Sequence, residues 1–226
     1  MKQSILLMVF LTTISFSQAQ KTFYGTIDYQ FTVEGEGAEM LGFMMPEKMV
    51  VQYGKKGMKM YFEGGAMSVM MGKIVLNGKK NQIFQVKDEE LTAYLMGPED
   101  LEGNQVTLPD EVIKEDEVIE ISGRSCQKYK TIKYTEDGGE SVQYIWSTEE
   151  LKAPEVSTPE LRAVAGMNLG ANGVPGFPMK SVTFDATTGL TITLLATNLD
   201  FTKLSNKEFD LPKGYAVEEF QMTTDE

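Results

Sequence analysis

The 226-residue chain has no histidine, one cysteine and one tryptophan. Without histidine it lacks the commonest general base and the commonest metal ligand, so a conventional serine or cysteine hydrolase is not expected. A single cysteine closes no intrachain disulfide, so an oxidising compartment would gain nothing here from cross-linking. Basic residues are also scarce: 21 Lys and Arg stand against 33 Asp and Glu, a formal charge of −12. That balance argues against nucleic acid and against anionic membrane surfaces as partners. Long apolar runs are missing beyond residue 16, so the chain is not expected to be an integral membrane protein. Gly64-Gly65 and Gly72-Lys73 have the wrong spacing for a phosphate loop. No acidic stretch shows the alternation and central glycine of a calcium loop. The expectation is a protein that is not an enzyme and carries no cofactor.

What is present begins with a leader. Lys2 gives a positive start, residues 5–16 an apolar segment, and Ser17-Gln18-Ala19 a small-x-small cleavage site before Gln20. No cysteine follows that site, so no lipid anchor is expected, and a periplasmic address fits. Residues 20–226 then form a single β-rich domain, long enough for one substantial core.

The first strand is the clearest. Phe23, Ile27, Tyr29, Phe31 and Val33 share one parity and polar residues take the other, the alternation of a half-buried antiparallel strand. Further strands are expected at 49–53, 58–62, 74–76, 82–86 and 91–96, with Asn77-Gly78 as a two-residue hairpin turn. Residues 38–46 change to helical spacing and 67–71 fit either helix or strand. The connection from 97 to 116 is expected to be long, with a helical touch-down near 110–114. Thr158-Pro159-Glu160 reads as a helix start, and Gly166 ends that helix.

Residues 115–148 form the organising hairpin. A loop at Asp137-Gly138-Gly139 places Tyr134 opposite Val142, Ile132 opposite Tyr144, and Lys130 opposite Trp146. Cys126 shares the parity of Ile132 and Tyr134 and should be buried and inert. Two strands near 182–184 and 190–196 follow, and residues 209–215 read as an edge segment and turn. About ten short strands with one or two short helices make a mainly β fold. It is a large curved antiparallel sheet, with a sandwich or a barrel-like sheet equally compatible.

Methionine is the compositional oddity: nine of the fifteen lie between Met40 and Met71. Thioether side chains pack irregular cores, but they also build surfaces that adapt to varied apolar guests. The candidate ligand-binding residues are Met40, Met44, Met45, Met67, Met70 and Met71 on a cover or rim, with Tyr144 and Trp146 deeper. The expected ligand is a lipid or acyl chain. Two alternatives stay open. One is a Cu(I) protein using thioether ligands; the other is an interaction module with no small ligand.

The order of several short motifs carries a resemblance. Phe23-Tyr24-Gly25-Thr26-Ile27-Asp28-Tyr29 opens the chain, and Tyr53-Gly54 with Gly57-Met58-Lys59 follows. Then come Gly123, Cys126, Lys128 and Tyr129, a tryptophan strand, Pro175-Gly176-Phe177-Pro178-Met179-Lys180, and Leu211-Pro212 with Gly214-Tyr215. Together these resemble the exported domain-of-unknown-function family numbered 4412. That family is similar to the outer-membrane lipoprotein carriers (LolA-like). The resemblance implies an unclosed antiparallel β-barrel with a helical lid over an apolar cavity. It transfers no catalytic residue, and Met60 stands where family members often carry arginine.

Overall fold

A computed structural model describes residues 20–97, 100, 108–134, 138–154, 173–185 and 188–220. The leader and the helix expected at 158–165 lie outside the described residues.

The chain enters through a two-residue strand β1 (Lys21–Thr22) and then β2 (Gly25–Glu34). A short helix α1 (Ala38–Gly42) leads to β3 (Lys48–Tyr53) and β4 (Gly57–Glu63). Helix α2 (Gly65–Met71) leads to β5 (Lys73–Asn77), β6 (Gln82–Lys87) and β7 (Thr92–Met96). The second half brings β8 (Glu111–Ile121), β9 (Arg124–Tyr134), β10 (Glu140–Thr148) and a short β11 (Leu151–Lys152). Then come β12 (Phe177–Asp185), β13 (Leu190–Asp200), a 3-10 turn at Asn206–Phe209, and β14 (Ala216–Glu219).

Twelve of these strands form one sheet in the order β14-β7-β6-β5-β4-β3-β2-β13-β12-β10-β9-β8, and β1 pairs separately with β11. The two ends of the sheet, β14 and β8, do not pair with each other among the described residues. Laid flat, strands spaced about 4.8 Å apart would keep β4 and β9 more than 20 Å from each other. Instead Cys126 and Ile121 share one core with Met60 and Ile74, so the sheet is strongly curved. Ser122, in the β8–β9 turn, donates to the Ala196 carbonyl on β13 at 2.9 Å, and Tyr29 on β2 donates to the Pro178 carbonyl on β12 at 2.9 Å. The fold is mainly β and unclosed, as expected, with more strands than the roughly ten expected.

Burial follows the alternation read in the first strand: Ile27 and Tyr29 are buried, and the residues between them less so. One end of the main core is built from aromatic rings. Phe23 meets Phe177 at 5.4 Å, Phe201 at 5.1 Å and Tyr53 at 5.9 Å. A second cluster, Val75, Phe84, Val86 and Ala93, is covered by Leu211 and Tyr215 of the C-terminal segment.

Four sequence expectations need correction. Residues 110–114 are not helical. Asp110 donates its backbone N–H to the Ile132 carbonyl and accepts from the Tyr134 N–H, which starts β8 as a ladder strand, and its β-branched residues favour that state. Asn77-Gly78 is not a two-residue turn, because Asn77 pairs with Gln82 across a four-residue loop. The Asn77 side chain is buried and donates to the Phe209 carbonyl and to Asp210 Oδ1, both at 3.0 Å, which holds it in the strand. The organising hairpin is shifted by two residues: Tyr134 pairs with Glu140, Ile132 with Val142, Lys130 with Tyr144, and Lys128 with Trp146. A slip of two keeps every side chain on its face, so parity does not detect it. Finally, the sheet is not wholly antiparallel, since β14 joins β7 in parallel.

Candidate functional site

Helices α1 and α2 cross the same end of the sheet, because each follows a strand running in the direction of β2. The β6–β7 turn, with Asp88 and Glu90, lies at that end as well. The two helical connections are fastened to each other. Ala66 donates its N–H to the Phe43 carbonyl at 3.1 Å, and Met67 to the Met44 carbonyl at 3.0 Å. Gly65 makes the approach possible: it sits at φ +63°, and a Cβ there would lie 2.1 Å from the Met45 carbonyl oxygen.

The joined connections form an apolar rim. Phe43 is 77% exposed, Met44 39%, Val69 58% and Met70 62%. Helix α2 is rich in apolar side chains, yet none of its residues is buried. Beside it lies a pocket of about 380 Å³, lined in part by Tyr61, Phe62, Val69, Met70 and Val86. That volume falls at the lower end of the roughly 300–1,000 Å³ usual for small-ligand sites. Charged side chains line it as well, among them Lys73, Asp88 and Glu90. Lys73 pairs with Asp88, and Tyr215 donates to the same carboxylate at 2.8 Å. The Lys73 ammonium, aided by that hydroxyl, holds the Asp88 carboxyl below its usual range. Burial raises the Tyr61 phenol.

The expected site residues divide into two groups. Met44, Met45, Met67, Met70 and Met71 are gathered on the rim, with Met45, Met67 and Met71 half-buried. Met40 belongs to α1, and its side chain lies outside the described residues. Tyr144 and Trp146 sit on β10 in a charged setting. Lys128 Nζ stands 4.6 Å from the Tyr144 ring centre and 5.1 Å from that of Trp146, while Lys180 Nζ faces the indole at 4.4 Å. The indole N–H donates to Glu117 at 2.9 Å, and Lys128 pairs with Glu115 at 3.0 Å and Glu117 at 3.1 Å. Those ion pairs raise the Lys128 ammonium and lower the Glu117 carboxyl. Trp146 is nevertheless part of the main core, and Tyr144 packs against it.

Sequence reasoning missed Phe43, Val69 and Phe62. Phe43 precedes the Met44-Met45 pair, and Val69 lies between Met67 and Met70, so reading 38–45 and 65–71 as one paired surface would have included those two; Phe62 lies in β4, outside both stretches.

No family model and no curated protein matches the chain. Solved structures do show a likeness. An uncharacterized conserved protein from Thermus thermophilus has a TM-score of 0.41 at 12% identity, covering 85% of this chain and 90% of its own. A LolA superfamily protein from Nitrosomonas europaea has a TM-score of 0.36 at 12% identity, covering 84% and 90%. A proposed outer membrane lipoprotein-sorting protein domain from Vibrio parahaemolyticus has a TM-score of 0.34 at 10% identity, covering 84% and 91%. At those scores the likeness assigns no function. Among the described residues no helix is long and apolar enough to cross a membrane.

Proposed function

We propose that this is an exported, periplasmic binding protein for an apolar or amphipathic ligand such as a lipid or acyl chain, and that it performs no covalent chemistry. The carrying observation is the unburied apolar helix α2, joined to Phe43 and Met44 beside a pocket of about 380 Å³. Leaving such side chains in water is unfavourable, and a guest covering them would recover about 0.8 kcal/mol for each of its methylenes removed from water. The flexible thioethers of Met44 and Met70 suit guests of varied shape. The charged side chains of Lys73, Asp88 and Glu90 in the pocket lining would keep a polar headgroup hydrated.

The test is fluorescence titration with a dansylated fatty acid, alongside native mass spectrometry of protein purified from cells. Met70→Asp and Val69→Asp are expected to weaken probe binding at least tenfold while leaving the melting temperature within a few degrees, because both sites are exposed. Wild-type affinity preserved in both variants would refute the rim as the binding surface. An anaerobic Cu(I) titration separates this reading from the thioether-metal alternative.

A further inference from the structure

We propose that Met44 and Met70 form a modification site, where a peroxide converts the thioether to the sulfoxide and turns the rim from apolar to polar. The sulfur lone pair attacks one peroxide oxygen, the O–O bond breaks, and an S–O bond forms. Sulfur is oxidised by two electrons, the peroxide is reduced, and water leaves with both peroxide protons. Among the described residues, accessibility sets Met44 and Met70 apart from the methionines of the core. Met44 and Met70 are exposed, whereas Met49, Met58, Met60 and Met179 are buried at 3% exposure or less. The lone thiol does not compete: Cys126 is fully buried, its Sγ lying 3.4 Å from the Arg124 carbonyl, and burial pushes it up to about 11.

The fold tolerates the change at these two positions. Met44 contributes its backbone carbonyl, not its side chain, to the bond with Met67, and no residue of α2 is buried. A sulfoxide there stays in water, while the same group at Met49 would bring a polar oxygen into the core. Its effect is therefore confined to whatever the rim holds. That second half rests on the binding function proposed above.

The experiment treats the folded full chain with hydrogen peroxide and follows each methionine by peptide mass mapping, then titrates the dansylated fatty acid. Met44 and Met70 are expected to convert at least tenfold faster than Met49, Met58, Met60 and Met179, with unchanged circular dichroism and a several-fold loss of probe affinity. In a Met44→Leu, Met70→Leu double variant, peroxide should lower affinity far less than it does in the wild type, whatever the starting value. Equal conversion rates at exposed and buried methionines would overturn the site. Full conversion without loss of affinity, or the same loss in the double variant, would overturn the switch. If untreated protein does not bind the probe, the binding function and the switch fall together, and the mapping alone decides the modification site.

Discussion

At the scale of single residues, the best-defined joint is Phe209 in the notch left by two glycines. Its ring is buried, and a Cβ added at Gly54 would stand 2.1 Å from it, at Gly57 2.6 Å. Hydrogen cannot be replaced at either glycine without displacing an aromatic ring that anchors the C-terminal segment. Phe209→Ala is expected to cost about 3–5 kcal/mol, since the cavity is rigidly walled by β4 and β5. Urea unfolding should show a lower midpoint with little change in slope; a loss below about 1 kcal/mol would mean that the segment is not anchored there. Cys126 offers a second check at this scale. With its thiol raised to about 11, it should stay unmodified by a thiol reagent at pH 8 and react once urea unfolds the chain. Prompt reaction in the native protein would contradict the burial.

Elements were legible where a local pattern and the long-range pairing agree. The alternation in β2 predicts its buried face because one parity meets the core and the other meets solvent. Residues 38–46 change to helical spacing and hold α1, whereas 67–71, whose pattern fits either helix or strand, lie in α2. Legibility ended where a distant partner decides. Asn77 carries a turn signature, yet its amide is committed to Phe209 and Asp210, more than 130 residues on. The hairpin slip has the same origin, since Lys128 faces Trp146 while bridging Glu115 and Glu117, an arrangement parity does not encode. The candidate rim was half legible: its methionines stood out, but the bonds joining α1 to α2 cross some twenty residues. A turn that was readable went unread. Ser122-Gly123 closes β8 and β9 with φ of 48° and 73°, the paired positive values of a two-residue hairpin. Gly123→Ala is expected to cost about 1–2 kcal/mol through backbone strain alone, because nothing lies within 4 Å of its would-be Cβ. A melting temperature unchanged in that variant would show that the turn relaxes freely.

At the scale of the whole molecule, two phenols tie the curvature of the sheet to pH. Tyr29 and Tyr53 are both buried in the main core, and desolvation raises both well above the ordinary tyrosine value. Tyr29 also donates to the Pro178 carbonyl, so its proton joins β2 to β12 past the intervening β13. An acid whose folded pKa is raised stabilises the fold fully below its unfolded pKa, about 10 for tyrosine, and progressively less above it. The penalty grows by about 1.4 kcal/mol per tyrosine for each pH unit beyond 10 until the folded pKa is reached. Half-buried phenols such as Tyr94 and Tyr215 are raised first by their hydrogen bonds to Glu90 and Asp88, not by full burial in the core. Alkaline titration followed at 295 nm should therefore show a gradual surface phase and then a cooperative step that coincides with loss of β-sheet circular dichroism. In Tyr29→Phe the cooperative step should shrink and move to higher pH, while the surface phase stays where it was. If all nine tyrosines instead ionised in one gradual phase with the sheet intact, Tyr29 and Tyr53 would have to be open to water, and the main core would not be packed around them.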